Sequence, residues 1–109
     1  MATYEQFAGL DLRVGTIVNV KPFPESREPA IKLEIDFGPL GLKRASAQLT
    51  KRYTSEELID RQVIAVVNFP PRRIAGYISE VLVLGAVPGE GDVVLLQPEV
   101  PLPNGTPIR

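Results

Sequence analysis

"IKLEIDFGPLGLKRASAQLTKRYTSEEL", Ile31 to Leu58, holds the order of elements on which the fold turns. Ile31, Leu33, Ile35 and Phe37 alternate with Lys32, Glu34 and Asp36, the period of a strand with one buried face. Gly38–Gly41, with Pro39 inside, makes a turn. Arg44–Leu49 then alternates again, with Ala45, Ala47 and Leu49 inward and Ser46, Gln48 and Thr50 outward. The small inward residues suit a tightly curved sheet. Thr54 and Glu57 have the spacing of a capping box and start a short helix near Ser55–Ile59. The stretch therefore reads strand, turn, strand, helix.

Upstream, Leu12, Val14, Thr16, Val18 and Val20 alternate with Arg13, Gly15, Ile17, Asn19 and Lys21, which predicts one long strand. Gly15 in its middle predicts a bulge or bend. Before it, Thr3 and Gln6 form a capping box for a helix over Tyr4–Gly9, with Phe7 and Leu10 on its apolar side. Pro22, Pro24 and Pro29 enclose a charged loop. Downstream, Arg61–Phe69 is β-branched without alternation, as expected of a strand covered on both faces. Glu80–Ala86 is a strand of the same kind, and Asp92–Leu96 a short sixth after a Gly89–Gly91 turn. Asn104-Gly105 marks a tight turn in a proline-rich tail. Five main strands with a helix after the third predict an all-β chain. The expected architecture is a five-stranded OB-fold barrel with short helices and N- and C-terminal extensions, one domain over residues 1–109. A ferredoxin-like split βαβ is the alternative, but it needs two longer crossover helices.

The 109 residues include neither Cys nor His. That removes thiolate chemistry, the commonest general base and the commonest metal ligands. No catalytic or metal-binding residue is assigned, no cofactor is expected, and an enzyme is disfavoured. With no long apolar run and no basic leader, the expectation is a soluble, cytoplasmic protein without membrane insertion. The net charge is −1, so a nucleic-acid site has to be a local patch. Lys43/Arg44, Lys51/Arg52 and Arg72/Arg73 supply half of the 12 cations, and Leu42–Tyr53 contains no acid.

The stretch "NFPPRRIAGYISEVLVLG", Asn68 to Gly85, carries the most chemistry. Pro70 and Pro71 fix φ, donate no hydrogen bond and end the preceding strand. Two guanidiniums on the stiffened turn suit phosphate oxygens; solvated arginines on a proline turn are the plainer alternative. In OB barrels the second and third strands carry the ligand face, here Lys43, Arg44, Ser46 and Gln48. Aromatic residues are few, so backbone or shape recognition fits better than base stacking. Ser79-Glu80 opens a buried strand, and Glu80 either accepts from a base edge, pairs with Arg72 or Arg73, or caps the loop, with a structural role slightly favoured. Phe23, Ile78, Leu82, Val100, Leu102 and Ile108 are apolar where a lone small barrel leaves residues exposed. With Pro70 they are candidates for a peptide-binding or dimer surface.

"LDLRVGTIV", "PAIKLEIDFG", "SAQLT", "VIAVVNFPPRRIAGYISEVLVLG" and "VPLPNGTPI" together resemble the CsaA family of export-related chaperones, a branch of the tRNA-binding-domain superfamily of OB folds. The resemblance runs from about Phe7 to Ile108 and is most specific over Asn68–Leu84. It implies a homodimer whose terminal extensions build the interface. It also implies tRNA binding, and binding of unfolded or preprotein polypeptides, with export machinery as a further partner. By position it places tRNA contacts at Arg13, Ser46, Asn68, Arg73, Ser79 and Glu80, with Arg72 nearby. The wider superfamily carries a Lys where this chain has Pro70, an Arg where it has Ala75 and a Met where it has Leu82. Two fewer cations weaken phosphate binding and tilt the expected role toward polypeptides. The alternative is a stand-alone tRNA-binding protein that assists aminoacyl-tRNA synthetases.

Overall fold

β1 (Leu12–Pro22) is the spine of the computed structural model, which describes residues 1–109. Its second half pairs antiparallel with β2 (Ile31–Asp36), which pairs with β3 (Leu42–Ala47). Its first half pairs with β4 (Gln62–Val66) and with the short C-terminal β10 (Pro107–Ile108). β7 (Leu82–Val83) adds to the far side of β4, giving the order β3-β2-β1-β4-β7. Two small hairpins stand apart from this sheet: β5 (Arg72–Ile74) with β6 (Tyr77–Ser79), and β8 (Gly85–Gly89) with β9 (Asp92–Leu95). Two helices complete the chain, α1 (Tyr4–Ala8) and α2 (Ser55–Leu58), and both capping boxes read from the sequence form. No helix is long and apolar enough to cross a membrane.

The five main strands curl into a nearly closed barrel, the OB-type order with α2 between the third and fourth strands. The seam between β3 and the segment after β6 is closed by polar groups. The Glu80 amide donates to the Arg44 carbonyl at 2.7 Å, and the Ser46 amide donates to Ser79 Oγ at 3.2 Å. Inside lie Ile17, Leu33, Ile35, Phe37, Ala45, Leu49, Leu58, Val63 and Ala65, essentially inaccessible to solvent. Each aliphatic or aromatic side chain removed from water in this way contributes about 1.5–3 kcal/mol.

β1 departs from the simple alternation. Leu12 and Val14 are buried, but outside the main core; the barrel interior receives Gly15 and Ile17, while Val18 is exposed. A register shift between Ile17 and Asn19 then turns Val20 toward the core. Both faces of the first half of β1 are covered, so alternation alone points to the wrong one. The bulge expected at Gly15 falls instead between Ile17 and Asn19, and Gly15 is required by close packing. A Cβ there would sit 2.6 Å from Ile35 Cγ2 and from Phe37 Cε1, inside van der Waals contact.

Two further readings are corrected by the structure. Glu80–Ala86 is not one strand: β7 pairs with β4, and the chain then leaves the barrel as β8. Arg72 and Arg73 do not lie on a proline turn. They form the first strand of a hairpin whose bend is Ala75-Gly76. Both bend residues have positive φ, +47° and +82°, the signature of a two-residue turn that matches strand twist. The signal was missed because Ala at the first position is unusual there.

The C-terminal extension is pinned by side chains. Gln62 Nε2 donates to the Leu102 carbonyl at 2.7 Å, and Gln62 Oε1 accepts from the Leu102 amide at 3.0 Å. Thr16 Oγ1 donates to Asn104 Oδ1 at 2.6 Å. The Asn104-Gly105 turn forms, with Gly105 at φ +91° and its amide on the Val14 carbonyl.

Candidate nucleic-acid interface

Register decides which side chains share the outer face of the barrel. β1 and β2 place Lys21 directly opposite Lys32 and Asn19 opposite Glu34; β2 and β3 place Lys32 opposite Ser46 and Glu34 opposite Arg44. Directly opposed like charges destabilise a sheet. Neither Lys21 nor Lys32 has an acid within ion-pair distance, so no ion pair within the chain offsets the repulsion between them. Beside these residues lies a groove of 290 Å³ lined by Asn19, Lys21, Lys32, Leu33, Glu34, Arg44 and Tyr77.

Tyr77 reaches the groove from β6. Its hydroxyl donates to the Leu33 carbonyl at 3.2 Å, and its ring meets Phe23 edge-on with centroids 5.5 Å apart. Lys32 Nζ sits 4.8 Å from the Phe23 ring centre and 5.1 Å from that of Tyr77, and the Arg44 guanidinium lies 5.7 Å from the latter. These cation–π contacts hold the cations along one wall. Burial pushes the Tyr77 phenol above its ordinary value, opposed by the charge of Arg44.

The β5–β6 hairpin continues this surface. Arg72 is paired with Ser79 and Arg73 with Ile78, and cross-strand partners share a face. Arg72 is therefore on the face that carries Ser79 and Tyr77, beyond the lining of the groove itself, and Arg73 is on the opposite face. Both are exposed. Ser79 is buried, with its hydroxyl on β3, and Glu80 Oε1 accepts from the Arg44 amide at 3.0 Å and lies 3.6 Å from the Arg44 guanidinium. Ser79 and Glu80 thus weld the hairpin to β3.

The other expected contacts lie elsewhere. Arg13 binds Asp11 through Nε at 2.6 Å and the Gly105 carbonyl through Nη1 at 3.0 Å. Asn68 accepts from the Asp11 amide and donates to the Gly9 carbonyl, both at 2.9 Å. These two residues tie the terminal extensions to the barrel, away from that groove but together on the lining of a second one between the termini. Lys43 is opposite the buried Ile35, half-buried on the core side of β3; Gln48 is exposed beyond that strand. Arg52 forms a two-pronged ion pair with Asp92 on β9, which raises the arginine and lowers the carboxyl relative to their ordinary values through the hydrogen bonds between them.

Among the apolar candidates, Phe23 is buried within the chain's own fold, so it is no exposed docking residue. Ile78, Leu102 and Ile108 are half-buried, Ile108 opposite Leu12 on β1. Leu82, Val100 and Pro70 are exposed. Sequence reasoning missed Lys21, Asn19, Lys32, Glu34 and Tyr77 as site residues. The alternation of "IKLEID" already set Lys32 and Glu34 outward, but only the register supplies their β1 partners. No three His, Cys, Asp or Glu side chains converge as a metal site.

The chain matches the family described as "Putative tRNA binding domain" over residues 12–107. The crystal structure of the chaperone CsaA from Bacillus anthracis str. Ames is similar at 63% identity and a TM-score of 0.97, covering 100% of this chain and 99% of that one. The CsaA chaperone protein of Picrophilus torridus is 48% identical with a TM-score of 0.92, each chain covered completely. Among curated relatives, the methionine–tRNA ligase of Methanosarcina acetivorans is 35% identical over 97% of this chain. The chain spans only 15% of that ligase's length.

Proposed function

The chain belongs to the CsaA family of the tRNA-binding-domain superfamily, and from that premise we propose that it is a non-enzymatic chaperone that also binds tRNA. As a homodimer it holds unfolded or preprotein segments in the cytoplasm before export. The observation that carries this reading is the full-length similarity, 63% identical, to a protein whose structure is that of a chaperone. tRNA binding is supported by the family match and by the exposed cations of the β2–β3 face and hairpin.

The proposed dimer surface lies at the termini. α1 buries none of its residues, and Tyr4 and Phe7 are exposed. With Leu10, Pro107 and Ile108 they border a second groove of 370 Å³. The apolar side chains share this groove with Asp11, Arg13, Asn68 and Arg109, and a mixed surface of this kind suits a second subunit or an extended peptide. The decisive experiment is suppression of aggregation of a denatured client, with sedimentation run in parallel. Protection at stoichiometric dimer is the expected result; a monomer at micromolar concentration that gives no protection would end the chaperone reading.

A second reading follows from the 35% identity to a methionine–tRNA ligase: a tRNA-binding module that assists aminoacyl-tRNA synthetases. It predicts faster aminoacylation when the chain is added to a synthetase at limiting tRNA. An unchanged rate excludes it.

A further inference from the structure

The outer groove carries more than the cations that backbone binding requires. Lys21 and Lys32 oppose one another without an acid partner, a seat for one phosphate group. The neighbouring pair, Asn19 and Glu34, has the opposite character. Asn19 Nδ2 donates to Glu34 Oε1 at 2.7 Å, which leaves Asn19 Oδ1 and Glu34 Oε2 as acceptors with no partner in the chain. The Tyr77 hydroxyl and the Leu33 carbonyl bind each other. The groove, at 290 Å³, lies near the small end of ligand clefts, the scale of a single nucleotide.

We propose that this groove seats a single unpaired guanosine nucleotide. Its phosphate lies between Lys21 and Lys32, and its N1–H and N2–H₂ donate to Glu34 and Asn19. The inference rests on the RNA-binding reading and adds a base preference to it. The choice of base follows from donor and acceptor order. Guanine presents two adjacent donors on its pairing edge. Adenine and cytosine set one donor beside an acceptor, and uracil sets one donor between two carbonyls, so each turns an acceptor toward Glu34 or Asn19. Unpaired bases in RNA are read on that edge.

The test is a titration of the full chain with 5′-GMP, AMP, CMP and UMP at low salt, followed by amide chemical shifts, with a tRNA titration in parallel. GMP is expected to bind about 10-fold more tightly than the others, the scale of one bidentate base contact. E34Q keeps the Asn19 hydrogen bond but replaces one acceptor with a donor, so the GMP preference should be lost and AMP and CMP, which set one donor beside an acceptor, should bind at least as tightly as GMP. K21A/K32A should lose all four. Equal binding of the four nucleotides by the unaltered chain, or an undiminished GMP preference in E34Q, overturns the proposal. If tRNA binds and GMP is not preferred, the guanosine seat alone falls. If GMP is preferred and tRNA does not bind, the RNA reading falls and the seat stands.

Discussion

Arg13 and Arg72 carry the same guanidinium and were both expected at a tRNA contact, yet they sit in opposite circumstances. Arg13, at the base of β1, already binds the Asp11 carboxylate and the Gly105 carbonyl. Arg72, on the hairpin beside β3, is exposed and makes neither an ion pair nor a side-chain hydrogen bond. The difference is one of partners, not of residue type. A cation whose donors are satisfied inside the chain holds structure, and one left open remains available to an outside anion. Asn68 and Ser79 extend the contrast. The first ties the N-terminal segment through both ends of its amide, and the second, buried, closes the barrel.

Removing both hairpin arginines should give the largest effect on binding. In an Arg72→Ala, Arg73→Ala variant, tRNA affinity near 0.1 M salt should fall by about 10-fold, and the salt slope by about 1. Filter binding across a salt series reads both, and thermal melting should not change. The single variants sharpen the point: Arg72→Ala should account for most of the loss, because Arg73 is on the face opposite Ser79 and Tyr77. Equal losses would show that the RNA wraps both faces of the hairpin.

Arg13→Ala should do the reverse. Loss of its charge-assisted hydrogen bonds should lower stability by about 1–2 kcal/mol in urea unfolding, discounted for partial exposure. The salt slope for tRNA should stay within error of the unaltered protein. A lower slope at unchanged stability would move Arg13 into the binding site.

The hairpin also stores strain at Ala75, whose φ of +47° suits Gly or Asn better. Ala75→Asn, which creates the favoured Asn-Gly turn, should stabilise the protein by about 0.5–1 kcal/mol. tRNA affinity should stay equal or rise slightly as the two arginines are held more firmly. A drop in melting temperature would mean that the bend is not of this type.

The smallest effect concerns acid. The Asp92 carboxyl is held low mainly by the hydrogen bond from Arg52, and the Glu57 carboxyl mainly by the Thr54 amide in its capping box. Both folded values lie below the unfolded ones, so the stabilisation is present above the unfolded values of 3.8 and 4.5 and is lost as pH falls through the folded values. Melting temperatures from pH 7 to 3 should therefore fall less steeply in Asp92→Asn than in the unaltered chain. Identical profiles would remove the Arg52–Asp92 pair from the acid response.

The sequence carried the barrel because its strongest signals are local. The alternation from Ile31 to Phe37, the capping boxes at Thr3 and Thr54, and the Asn104-Gly105 turn each depend on neighbours within a few residues. What it did not carry was register. The meeting of Lys21 and Lys32, the seam bonds from Ser79 and Glu80 to β3, and the capture of Arg13 by Gly105 join positions 11 to 92 residues apart. The same limit explains β1, where period two offers two faces and the packing of Gly15 on Ile35 and Phe37 selects between them. Arg44, Arg72 and Arg73 were legible as candidate cations, but neither their partners nor the Lys21–Lys32 pair was visible.

The most direct test is to map tRNA onto the labelled protein by amide chemical shifts. If the open face is where RNA binds, shifts should cluster at Lys21, Lys32, Arg44, Ser46 and Arg72, and leave Gly9–Arg13 and Asn68 still. Shifts confined to Arg13, Asn68 and the terminal strands, with the outer face of β2 and β3 silent, would contradict it.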